Sequence, residues 1–133
     1  MKILITGATG FIGIRIIDAL LAGGHEIFAL CRNLEKAKAK LPDNCHIIIG
    51  DITDKKSLSG CCDGIDMVYQ LVGLSGNELP SDYQFKRFRK VNVEGLRNIV
   101  EEAQRAKVKR FVQVSSIAAM GIVQKMPITG QSK

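Results

Sequence analysis

Gly7, Gly10 and Gly13 stand at GxxGxxG spacing in Gly7-Ala8-Thr9-Gly10-Phe11-Ile12-Gly13, directly after the apolar run Lys2 to Thr6. Between a strand and a helix, this spacing suits a bound pyrophosphate. Gly7 permits the tight turn off the strand, Gly10 lets backbone approach the anion, and Gly13 lets the helix pack closely on the sheet. The free N–H groups of the helix start, those of Phe11 and Ile12 among them, then hold the negative charge with help from the helix dipole. No Gly-Lys-Ser/Thr follows, which disfavours a P-loop nucleotidase. About 20 residues beyond such glycines, an Asp or Glu would bind the 2′-hydroxyl of NAD and an Arg would accommodate the 2′-phosphate of NADP. The residues there are Cys31-Arg32-Asn33. With no carboxylate and a guanidinium able to grip phosphate bidentately, NADP is expected over NAD, and Lys36 and Lys38 add positive charge nearby.

The elements that must position these groups follow from hydrophobic period. Lys2 to Thr6 reads as a strand, and Phe11 to Ala22 as a helix ended by Gly23-Gly24. His25 to Cys31 is a second strand, Asn33 to Lys40 a short charged helix, and Cys45 to Gly50 a third strand. Thr53 or Asp54 caps a helix to about Cys62. Asp66 to Val72 is a fourth strand, Tyr83 to Ala106 the longest helix, and Lys109 to Ser115 a fifth strand. Strands alternating with helices predict an α/β fold, a doubly wound parallel sheet in the order 3-2-1-4-5.

The composition fits one folded domain of 133 residues, with 46% hydrophobic and 24% charged residues. No apolar run reaches the length of about 18 residues that suggests a membrane span, so no membrane partner and a cytoplasmic location are expected. Cys31, Cys45, Cys61 and Cys62 form no CxxC pair and have no histidine at metal spacing, so no metal is expected and reduced structural thiols are. The net charge of +6 is concentrated between Asp82 and Arg110, where Lys86, Arg87, Arg89, Lys90, Arg97, Arg105, Lys107, Lys109 and Arg110 outnumber the acids. Without an aromatic platform or binding motif, this reads as a solvated helix face rather than a nucleic-acid surface.

Thr6-Gly7-Ala8-Thr9-Gly10-Phe11-Ile12-Gly13 resembles the start of the extended short-chain dehydrogenase/reductase family, the NAD(P)-dependent sugar epimerases, dehydratases and related reductases. Gly50-Asp51-Ile52, Val91-Asn92-Val93-Glu94-Gly95 with Asn98, and Val114-Ser115-Ser116 match in the same order. The resemblance implies that Asp51 contacts the adenine amino group and that the Ile52 backbone lies along the ring. It also implies that Val72-Gly73 passes beneath the nicotinamide ribose, that Asn92 belongs to the active-site region, and that Ser116 holds a substrate oxygen. Hydride transfer at an alcohol or ketone carbon, as in a nucleotide-sugar, is the implied reaction.

That reaction needs a tyrosine acid/base with its lysine in Tyr-x-x-x-Lys. The only tyrosines are Tyr69 and Tyr83, both before Ser116, and Thr129-Gly130-Gln131-Ser132-Lys133 offers a threonine, whose hydroxyl cannot replace the phenol. The expectation is a chain that stops before its catalytic helix. The alternative is a short non-catalytic dinucleotide-binding module that senses redox state or binds another protein. In the long helix, Phe85, Phe88, Leu96, Ile99 and Ala103 form one stripe, with Val91, Val93 and Val100 outside it. One set is left uncovered, which predicts self-association through residues 83–106.

Overall fold

The computed structural model describes residues 1–75 and 82–116. Five strands, β1 (Lys2–Thr6), β2 (Glu26–Cys31), β3 (His46–Ile49), β4 (Met67–Gln70) and β5 (Arg110–Gln113), lie in the order β3-β2-β1-β4-β5, and every neighbouring pair is parallel. The expected doubly wound sheet is therefore present. Parallel pairing demands a crossover between successive strands, and the helices that supply it cover the sheet.

Side chains alternate across the sheet and divide the core into two layers. Ile3, Ile5, Ile27 and Ala29 pack on one side with Ile17 of α1 (Phe11–Ala22) and Ala37 of α2 (Leu34–Lys38). Leu4, Leu30 and Val68 pack on the other with Leu58, Cys62, Ile99 and Ala103. Ile17 and Ile99 are fully buried anchors of the two layers, and truncating either to alanine is expected to cost about 2–5 kcal/mol. α2 begins at Asn33, whose side chain accepts a hydrogen bond from the Lys36 N–H at 2.8 Å.

Two expectations are corrected. The helix expected from Thr53 or Asp54 to Cys62 is only a 3-10 turn, Lys55–Leu58, capped by Asp54. The Ser57 hydroxyl bonds locally, to the Asp54 carbonyl at 2.8 Å, and Gly60 and Gly64 then take positive φ, which breaks helical propagation. The long helix is also not one regular α-helix. It runs as α3 (Asp82–Phe88), a π-helical segment (Arg89–Gly95) and α4 (Leu96–Arg105). The wider π turn shifts the helical phase. Val91 and Leu96 therefore join Ile99 and Ala103 against the sheet, while Phe85 is exposed with Tyr83 and Val93.

All four cysteines are free and buried. The Cys61 and Cys62 sulfurs lie 3.9 Å apart, and the hydrogen bond between them with burial pushes the Cys62 thiol pKa well up. Several residues of the basic stretch are paired on the surface: Arg89 with Glu94 at 3.7 Å, Arg105 with Glu102 and Asp63, and Lys109 with Asp66 at 3.0 Å. No helix among the described residues is long and apolar enough to cross a membrane.

Candidate functional site

In the order β3-β2-β1-β4-β5 the chain winds outward in both directions from β1, so the sheet has its switch point between β1 and β4. A cleft of about 400 Å³ opens at the strand ends there. Its lining includes Gly7 and Gly10 after β1, Arg32 after β2, Asp51 and Ile52 after β3, and Val72 and Gly73 after β4.

The glycines build the cradle. Gly7 has φ +68°, and a Cβ there would lie 3.2 Å from the Leu71 carbonyl carbon and from the Val72 nitrogen. Gly10 accepts the first helical hydrogen bond, from Ile14, and donates its own N–H to the Gly7 carbonyl at 2.9 Å. At Gly13 a Cβ would meet the Gly7 and Ala8 carbonyl oxygens at 2.4 and 2.7 Å, so α1 seats directly on the loop. The close approach expected against the sheet is thus made against the backbone of the glycine turn. Among the described residues no side chain caps α1, whose N-cap is Gly10, and no acid occupies its first turn. The N–H groups of that turn have no intrahelical acceptors and carry the positive end of the dipole, so the cradle fits a phosphate anion.

Two polar side chains ending apolar strands fix the floor. Thr6 and Gln70 are partners in the β1–β4 register and are buried. The Thr6 hydroxyl donates to Gln70 Oε1 and accepts from the Leu71 N–H at 3.2 Å, while Gln70 Nε2 donates to the Val72 carbonyl at 3.0 Å. This network fixes the backbone entering Val72-Gly73. Behind it, Asn92 binds both backbone groups of Leu74.

The rim beyond β2 and β3 is charged. Asp51 Oδ1 accepts from the Thr53 N–H at 2.8 Å and the Thr53 hydroxyl at 2.9 Å, and its Oδ2 lies 3.8 Å from Arg32 Nη1. Arg32 is mostly exposed, with 78% of its side chain accessible, so its guanidinium remains open to a ligand. Lys36 and Arg87 add to the cationic lining, and Asp51 is the one acid among the described lining residues. Cys31 also lines the cleft, and burial, then the nearby Cys45, push its thiol pKa up, which keeps it protonated and a poor nucleophile at neutral pH.

The structure brings together Gly7, Gly10, Arg32, Asp51, Ile52, Val72 and Gly73. Phe11 and Ile12 lie at the α1 start with exposed side chains, and Gly13 is buried behind the loop. Asn92 acts on the wall through Leu74, and Ser116 is exposed, three residues beyond β5 and outside the cleft lining. The segment from Thr129 to Lys133 lies outside the described residues. Lys38 does not join Lys36 in the lining. Thr6, Gln70 and Arg87 were not legible as site residues. The first two are polar residues at the ends of apolar strands, a signal available in the sequence, whereas Arg87 is one cation in a long basic run.

A family model described as "NAD dependent epimerase/dehydratase family" matches residues 3–133. The chain belongs to this family. It is 32% identical over 120 residues to a 3-beta-hydroxysteroid dehydrogenase of Mycolicibacterium neoaurum, a match that covers 86% of the chain and 32% of the relative. It is 33% identical over 122 residues to sterol demethylase protein B of Methylococcus capsulatus, covering 92% of the chain and 36% of the relative. The enzyme WbmG of Bordetella bronchiseptica, solved in complex with NAD, superposes with a TM-score of 0.82 at 28% identity over 99% of the chain and 43% of its own length. The chain therefore spans about a third of the length of these curated relatives.

Proposed function

We propose that this chain is the NAD(P)-binding portion of a longer oxidoreductase, epimerase or dehydratase. The observation that carries the reading is the glycine turn and uncapped α1 start at the switch-point cleft. The N–H groups at the start of α1 hold the pyrophosphate. Asp51 and the Ile52 backbone receive the adenine, and Val72-Gly73 passes beneath the nicotinamide ribose. When bound, the nicotinamide supplies or accepts hydride at an alcohol or ketone carbon, and Ser116 holds the substrate oxygen. The names of the relatives, a 3-beta-hydroxysteroid dehydrogenase and a sterol demethylase protein, add steroids to nucleotide sugars as a candidate substrate class. The sequence holds no tyrosine after Tyr83 to act as acid/base, and the match covers a third of the relatives, both of which support a cofactor-binding portion.

NADP is the preferred cofactor in this reading. Among the described lining residues Arg32, Lys36 and Arg87 stand against one acid, Asp51, and the exposed Arg32 guanidinium exchanges its 3.8 Å approach to Asp51 for a charge-assisted bond to the 2′-phosphate. Titration with NADPH and NADH tests this. NADPH is expected to bind more tightly, and Arg32→Ala to weaken NADPH by about tenfold or more while leaving NADH nearly unchanged. Equal affinity for the two in the unmodified chain overturns the preference. The uncovered Tyr83, Phe85 and Val93 support association of the chain with itself through the long helix.

A further inference from the structure

Three positions on the long helix, spaced three residues apart, touch the two ends of the cleft from behind. Asn92 holds Leu74 twice: the Leu74 N–H donates to Oδ1 at 2.7 Å, and Nδ2 donates to the Leu74 carbonyl at 2.9 Å. Leu74 directly follows Val72-Gly73 in the loop after β4. Asn98 instead reaches the loop after β3, where its Nδ2 donates to the Ile52 carbonyl at 2.8 Å. Between them, a Cβ on Gly95 would lie 2.7 Å from Ile52 Cδ1 and 2.9 Å from Cγ1, so the Ile52 side chain rests on bare helix backbone.

These loops leave strands separated by β2 and β1, three spacings or about 14 Å across the sheet. The helix regions that hold them are distinct too. Asn92 lies in the π-helical segment, which ends at Gly95, and Asn98 lies in α4 beyond it. π turns recur at functional sites because they re-aim side chains that a regular helix would direct elsewhere. Both amides are part-buried, and side chains that satisfy loop backbone in this way fix loop position, since losing them leaves polar groups unpaired.

We propose that Asn98 and Asn92 are positioning residues that set the two ends of the dinucleotide cleft separately, Asn98 the adenine end through Ile52 and Asn92 the nicotinamide end through Leu74. The proposal rests on the dinucleotide reading of the cleft. Neither asparagine touches the ligand; each fixes a backbone segment that does. A purely structural role would weaken every ligand together, whereas separate positioning splits the effect by ligand.

The test measures dissociation constants of AMP and NADPH by calorimetry for the parent chain, Asn98→Ala and Asn92→Ala, with thermal melts alongside. Asn98→Ala is expected to weaken AMP and NADPH by the same factor, about tenfold, because the lost order lies wholly at the adenine end. Asn92→Ala is expected to leave AMP within about twofold and weaken NADPH by about tenfold. Asn98→Asp, which keeps the shape and loses the donor, and Gly95→Ala, which displaces Ile52, carry the Asn98 expectation if the alanine variant does not fold. A parent that binds both ligands, with variants that shift AMP and NADPH alike at both positions or at neither, overturns the proposal. A parent that binds neither ligand overturns the cleft reading and this proposal with it.

Discussion

Gly7 and Gly24 form a matched pair that separates backbone strain from site construction. Both have positive φ, +68° and +72°, but a Cβ on Gly7 meets Leu71 and Val72 backbone at 3.2 Å, while one on Gly24 meets nothing within 4 Å. Alanine in this conformation costs about 1–2 kcal/mol. Restricting the unfolded chain returns about 0.4–1 kcal/mol. Gly24→Ala should therefore destabilise by about 0–1.6 kcal/mol. Gly7→Ala carries a further overpacking cost of about 1–3 kcal/mol, because the atoms in the way are main chain held by the Gln70 bond to Val72. Its total is about 1–4.6 kcal/mol, and at about 4 °C per kcal/mol for a chain of this size the melting temperature should fall about 4–12 °C further than for Gly24→Ala. Urea unfolding and thermal melts measure the stability difference, and NADPH titration measures the functional one. Gly24 lies at the opposite end of α1, so its substitution should leave affinity within about twofold, whereas Gly7→Ala should weaken NADPH by about tenfold or more, equivalent to at least about 1.4 kcal/mol. Equal destabilisation by the two variants, or a Gly7→Ala chain with parental affinity, would refute the account of the loop.

Two further outcomes concern regions away from the cleft. The Glu102 carboxyl is held below its ordinary pKa of 4.5, first by its hydrogen bond from Arg105 and also by the Gly60 N–H. A depressed carboxyl pKa contributes stability that is present above about 4.5 and is lost as pH falls through the lower folded value. Glu102→Gln should thus lower the melting temperature at pH 7, and the gap to the parent should close in acid. A gap that is constant with pH would contradict it. Light scattering across a concentration series should show mass rising above the monomer value, and Phe85→Ser should reduce that rise. A monodisperse monomer at high concentration would remove the case for self-association through the exposed helix face.

The strand order was legible because each cue was local. Periods in residues 2–72 and 110–113 named the five strands, and the rule of right-handed crossovers left few ways to arrange them. The glycine cradle was legible for the same reason, since a turn, a close approach and a helix seat each require glycine at a fixed offset. The phase of the long helix was not. Residues 83–106 read as one amphipathic stripe, but the π-helical segment shifts it and exchanges Phe85 for Val91 in packing. No side-chain pattern in that stretch marks where the extra backbone turn falls. Thr6 and Gln70 looked like ordinary strand ends until their register placed them side by side.

By itself the sequence determined the class of fold, the switch-point loop and the arginine after the second strand, since these depend on residue types at short, fixed separations. Tertiary structure alone decided that Asp51 faces Arg32, that Arg87 from a distant helix joins the cleft lining, and that Asn92 and Asn98 clamp two different loops. Each of these joins groups 18 to 46 residues apart, or residues from separate elements, and such contacts are set by how packed layers meet rather than by any local preference.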